Sequence, residues 1–160
     1  MSTIRIPESI WEKINDHLFS RPSEHFAFML ANHKSSANSP IFLVQSAHLI
    51  PDELVTVTKS GWELNSQAIV DVINAAVRKN LALIEVHNHG GVRPRFSFTD
   101  REGFEEFPPY VLASLPGRAY GATVWGDSTI YGEYFLPDGQ KGRIDKHHGR
   151  GTPAPAGRLP

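Results

Sequence analysis

The sequence predicts one α/β domain followed by a tail, and three observations predict it. The chain has 160 residues, enough for a single domain that buries its own core. Apolar strand-like runs alternate with amphipathic helical ones on both sides of a central helix over residues 65–80. From Gly139 onward the composition turns polar, basic and rich in glycine and proline. That change predicts a domain over 1–138 and a flexible tail or linker over 139–160.

The elements follow in order. "PESIWEKINDHLF" places Ile10, Ile14 and Leu18 at helical spacing, with Pro7 suited to the first turn. "EHFAFMLA" (24–31) and "IFLVQSAHLI" (41–50) are apolar, bounded by turn residues, and read as strands. "NSQAIVDVINAAVRKN" (65–80) has Ile69, Ile73, Ala76 and Val77 on one face, Asn65 or Ser66 as cap, and basic residues in its last turn. "LALIEVHNH" (81–89) reads as a strand packed on that helix, and Gly90, Gly91 and Pro94 mark a loop after it. Thr99 and Glu102 fit a capping box, so a helix is expected from Asp100, interrupted at Pro108–Pro109. "RAYGATVWG" and "STIYGEYFL" form a hairpin across Gly126–Asp127.

Composition removes several function classes. A net charge of -1 supplies no basic field for nucleic acid or an anionic membrane surface. No apolar run approaches the roughly 20 residues that span a bilayer, and the start lacks the pattern of a secretory leader. The expected compartment is therefore the cytoplasm. The chain contains no cysteine, which excludes a disulfide framework, a thiolate zinc cluster and a thiol nucleophile. A hydrolase built on this chain must use a hydroxyl side chain or a metal-activated water.

The chemistry concentrates in "EVHNHGGVRPRFSFTD" (85–100). Alternate side chains share a face of a strand, so His87 and His89 project together, about 7 Å apart along the backbone. Asp100 enters from the first turn of the next helix. Two imidazoles and one carboxylate, with a fourth position left for water, form a common catalytic zinc set.

His87-Asn88-His89, seven residues, Ser97, two residues and Asp100 reproduce H-x-H-x7-S-x2-D, and Glu24 stands well upstream behind the first helix. In this the chain resembles the JAMM (JAB/MPN) metalloproteases over roughly residues 1–136. The resemblance implies an MPN (cytidine-deaminase-like) domain in the compact prokaryotic form, with a mixed sheet flanked by helices. It implies that His87, His89 and Asp100 hold one catalytic Zn2+, with no other cofactor. Glu24 would act as general base and then acid, and Ser97 would donate to the oxyanion. The implied substrate is the bond after the C-terminal glycine of a ubiquitin-like protein, in deconjugation or precursor processing. That tail would dock by strand addition, and activating or conjugating enzymes of the same system would be partners. Neither nucleic acid nor membrane is expected as a partner.

Two positions depart from the family pattern: Asn88 stands where serine is commonest, and Gly90 where proline is usual. Neither is a ligand, and the expected consequence is an altered loop. "RPR" (93–95) adds two cations beside the cleft. Glu85 shares the face of the two histidines and offers either a fourth ligand or a hydrogen-bonding support behind them; the motif gives it no ligand role, so it reads first as a charged residue of the cleft wall. His17, His25, His33 and His48 read as surface or core residues, His147–His148 as part of the tail, and Trp62 and Trp125 as core or cleft-lining aromatics. The competing class is a non-catalytic MPN scaffold that binds partner proteins. Such relatives usually lack a ligand, whereas all three are present in this chain.

Overall fold

The computed structural model of the chain describes residues 2–36, 39–58, 61–89, 94–127 and 129–148. Its strands are β1 (Ser2–Arg5), β2 (Phe26–Ser36), β3 (Ser39–Ile50), β4 (Val55–Thr58), β5 (Gly61–Leu64), β6 (Ala82–Asn88), β7 (Tyr120–Trp125), β8 (Ile130–Phe135) and β9 (Lys141–His148). Its α-helices are α1 (Glu8–Leu18), α2 (Ser66–Lys79), α3 (Phe98–Gly103) and α4 (Phe107–Ser114). Among the described residues no helix is long and apolar enough to cross a membrane.

The architecture corrects the expected fold. Seven strands pair in the order β1-β3-β2-β6-β7-β8-β9, and β9 pairs with β1 to close a barrel. This is not an MPN-type open mixed sheet flanked by helices. The pairs β1–β3, β1–β9 and β6–β7 are parallel and the remaining barrel pairs antiparallel. Strands β4 and β5 form a separate two-stranded ribbon.

The closure comes from a segment that reads as tail. Residues 141–148, inside the stretch expected to be a linker over 139–160, hydrogen-bond to β8 on one side and β1 on the other. "KGRIDKHH" carries a single large apolar residue, Ile144, which is buried. Hydrophobic patterning therefore gives no strand signal there. What favours the strand is non-local: two sheet edges with unpaired backbone groups face each other, and one segment satisfies both. Residues 149–160 lie outside the described part.

Most other elements match their local signals. Asn65 caps α2, its side chain accepting from the amides of Gln67 and Ala68, and Asn80 ends it in the left-handed region at φ 58°. The buried face of α2 is Ala68, Val72, Ile73 and Ala76. Val77, expected on that face, is exposed. Pro108 and Pro109 open α4 rather than interrupt a helix, because a first turn has no amide partner to lose there.

Alternation along the central strands feeds two apolar clusters. Phe26, Phe28, Leu30 and Leu83 pack with α2 and α4. Ala27, Met29, Ile84 and Val86 pack with Trp11, Ile14 and Leu18 of α1. Strand β6 lies between β2 and β7 and is buried along its whole length. His87 is its penultimate residue and His89 follows directly after it, so the candidate site sits at the end of a strand buried along its whole length.

Candidate metal centre

Residues His87, His89 and Asp100 converge, with one ligating atom from each lying within 4.8 Å of the others. His87 Nε2 is 3.2 Å from Asp100 Oδ2, and His89 Nε2 is 3.6 Å from the same oxygen. Donors held about 2.05 Å from a tetrahedral ion lie about 3.3 Å from one another. Both edges to Asp100 are close to that length, so the group could hold a metal ion. His87 and Asp100 are buried and His89 is half-buried, which leaves one side of the group accessible.

Each of the three side chains is held by its own local device. Asp100 is placed by a capping box in which Ser97, not Thr99, is the N-cap. The Ser97 amide donates to Asp100 Oδ2 at 2.8 Å, and the Asp100 amide donates to Ser97 Oγ at 3.0 Å. The helix accordingly begins at Phe98, two residues before the expected start. The S-x-x-D spacing is thus the spacing of reciprocal helix capping, and it aims the carboxylate at the histidines. Thr99 instead packs on the β4–β5 ribbon, where a Cβ at Gly61 would stand 2.7 Å from its methyl group.

His89 is oriented by its other nitrogen. Nδ1 lies 2.8 Å from the Arg95 carbonyl oxygen and donates to it, leaving Nε2 to face Asp100 and Glu24. The His89 amide also donates to the Trp125 carbonyl at 3.0 Å, extending the β6–β7 register by one residue. Arg95 lays its guanidinium over the Tyr131 ring, 4.9 Å from the centroid. Arg93, Gly90 and Gly91 lie outside the described residues.

Behind His87 stands Glu85, which is more than a wall residue. Its Oε1 is 3.5 Å from His87 Nδ1, a nitrogen with no hydrogen-bond partner of normal length. Oε2 accepts from Tyr120 Oη at 2.8 Å, and Thr123 Oγ1 donates to the Glu85 carbonyl at 3.0 Å. A carboxylate behind a metal-facing imidazole is a common support for such ligands. Sequence alternation puts Glu85 on the correct face, but its Tyr120 partner comes from β7 and leaves no local signal.

Glu24 arrives from the loop between α1 and β2. It lies two residues before β2 begins rather than within that strand. Its Oε1 is 2.8 Å from His89 Nε2, on the accessible side of the group. Ser97 is exposed, and its Oγ accepts from Asp100, so its own hydrogen is available to a bound group.

The charges of the ion-free group are strongly coupled. Burial alone would lower His87, but the hydrogen bond and charge of Asp100, together with Glu85, outweigh it and push His87 up to about 9. The hydrogen bond from Glu24 raises His89 against its partial burial. Burial would raise Asp100, and the His87 and Ser97 donors instead hold it below its usual range. Burial and the Glu85 charge push the Tyr120 hydroxyl well up.

Aromatic rings surround the inner side: Phe26, Trp62 and Phe96 have centroids 5.8, 5.8 and 6.2 Å from the His87 ring. Trp62, from β5, lines a cavity of about 280 Å³ whose wall also includes Leu64, Phe104, Glu85 and Asp100. A larger groove of about 670 Å³ has Ser23, Glu24, Asn88, His89 and Asp127 in its wall. Trp125 is buried against Trp11, at 4.7 Å between centroids, and is a core residue. His25 is buried while His17, His33 and His48 are half-buried, and none of them joins the group. His147 and His148 lie on β9, paired with Ile4 and Arg5.

Comparison with known proteins returns no matching family model and no matching curated protein. The geometry defines the site as a group of two histidines and one aspartate that could hold a metal ion.

Proposed function

We propose that this chain is a cytoplasmic zinc-dependent peptidase of the JAMM type, cutting the amide after the C-terminal glycine of a ubiquitin-like protein, in deconjugation or precursor processing. One observation carries the catalytic reading: the Glu24 carboxylate lies 2.8 Å from the ligand nitrogen of His89, at the accessible edge of the three-residue group. The ubiquitin-like substrate, with activating or conjugating enzymes as further partners, rests on the motif resemblance.

The donor set suits zinc, with neutral imidazoles and one carboxylate leaving a position open. When bound, the ion would lower the pKa of a coordinated water and polarise the scissile carbonyl. Glu24, partly exposed and anchored beside that position, would accept the water's proton and deliver it to the departing amine. The Ser97 hydroxyl, whose oxygen is engaged by the Asp100 amide, keeps its hydrogen for the developing oxyanion. Glu85 and the Arg95 carbonyl would hold the two imidazoles in orientation while this happens.

The test pairs metal content with turnover. Purified protein is loaded with zinc and given a ubiquitin-fold protein whose terminal Gly-Gly is joined by a peptide bond to a fluorescent tag. The expected result is a single tightly held zinc, release of the tag, and loss of release on chelation. Zinc bound without release by any such fusion would favour the non-catalytic scaffold, and absence of zinc binding would overturn the metal centre itself.

A further inference from the structure

Asn88 stands between the two histidines, and strand alternation turns its side chain to the opposite face of β6. It is nearly buried there, on the side where the chain returns from α1. Its Oδ1 accepts from the His25 amide at 2.6 Å, and its Nδ2 donates to the Ser23 carbonyl at 3.1 Å. These are the peptide groups immediately before and after Glu24. The arrangement fixes the amide's orientation without ambiguity, because an N–H must meet the oxygen and a C=O must meet the nitrogen.

We infer that Asn88 is a positioning residue for Glu24, an inference that rests on the catalytic reading of Glu24 given above. Residues 19–24 are exposed, and β2 pairing begins only at Phe26. Ladder hydrogen bonds do not reach Glu24, and the buried His25 ring, whose Nδ1 lies 3.1 Å from the Leu18 carbonyl, anchors only the residue after it, to α1. The Asn88 head ties both peptide flanks of residue 24 to the strand that carries the metal-facing group. The base and the ligands then share one rigid frame, although they come from segments 63 residues apart. Displacing a reacting group by about 1 Å costs on the order of 100-fold in rate. A carboxylate at position 88 accepts from His25 but has no hydrogen for Ser23. An alanine does neither.

The test uses the full chain with Asn88→Ala and the near-isosteric Asn88→Asp, each alone and combined with Glu24→Gln. Zinc affinity by chelator competition should stay within about twofold of the wild type, because no ligand is touched. Amide hydrogen exchange at His25 should speed up roughly tenfold in Asn88→Ala, reporting the lost bond without any substrate. With the Gly-Gly fusion probe, kcat should fall about 100-fold in Asn88→Ala, less in Asn88→Asp, with KM unchanged. Combined with Glu24→Gln the Asn88 change should cost nothing further, since it acts only through Glu24. Unchanged kcat, a loss that multiplies that of Glu24→Gln, or unaltered His25 exchange would each overturn the inference. If the wild type fails on the probe, or Glu24→Gln is harmless, the catalytic reading falls instead. The exchange measurement still decides whether Asn88 holds residue 24 in place.

Discussion

Glu24 Oε1 lies 2.8 Å from His89 Nε2, the same nitrogen that faces Asp100 Oδ2 at 3.6 Å. The hydrogen bond to Glu24 raises the pKa of His89, and a cation taken up at that nitrogen competes with a proton for it. A base differs from a ligand in what its removal takes away. Glu24→Gln is expected to keep the zinc and to lower turnover by about 10²–10⁴-fold. Equal loss of zinc and activity, measured by metal analysis beside kinetics, would make Glu24 a fourth ligand and remove its role as base.

Glu85 and Tyr120 act from behind His87. Glu85→Gln is expected to weaken zinc binding by about 10–100-fold, as measured by competition with a chromogenic chelator. Tyr120→Phe leaves one buried carboxylate oxygen without its donor and should weaken binding in the same direction by a smaller factor. Wild-type affinity in both variants would reduce Glu85 to a residue of the cavity wall.

Ser97 has a structural task that can be measured apart from chemistry. Ser97→Ala removes the acceptor of the Asp100 amide and should destabilise the fold by about 1 kcal/mol, read as a lower urea midpoint. Loss of the oxyanion donor adds a fall of about 10²–10³-fold in kcat. Stability loss with full activity would confine Ser97 to capping.

Stability of the ion-free protein should depend on pH in opposite senses at its two ends. His87 titrates at about 9 in the fold against 6.5 when unperturbed. Its protonation therefore stabilises the folded chain fully below about 6.5, and this contribution is lost as pH rises through about 9. Asp100 is depressed below 3.8, so its contribution is complete above that value and is lost as pH falls through its folded pKa. Urea midpoints of chelator-treated protein should accordingly fall as pH rises from about 6.5 to beyond about 9. Saturating zinc should abolish the alkaline fall, because a coordinated nitrogen has no proton to lose. An alkaline fall that persists with zinc bound would place the titration elsewhere.

The candidate site was legible where its logic is short-range. His87 and His89 share a face because a strand alternates, and Ser97 and Asp100 stand three apart because a capping box requires it. The local rules also located α2, with Asn65 one of two caps they allowed, and the β7–β8 hairpin. Where two local solutions compete, reading by pattern chooses badly: Thr99–Glu102 fits a capping box as well as Ser97–Asp100 does. In the fold Asp100 faces His87 at 3.2 Å while the Thr99 methyl packs at Gly61, and neither contact is written in the local sequence. Glu85 could be placed on its face from sequence, but not beside Tyr120.

Strand alternation paired His87 with His89, and the motif resemblance added Asp100, because those relationships span no more than a strand, a loop and a helical turn. Closure of the barrel and the grip of Asn88 on the peptides around Glu24 were settled only in three dimensions. Both join segments far apart in the chain through backbone hydrogen-bonding groups. Every residue carries such groups, and so no residue pattern announces which of them will meet.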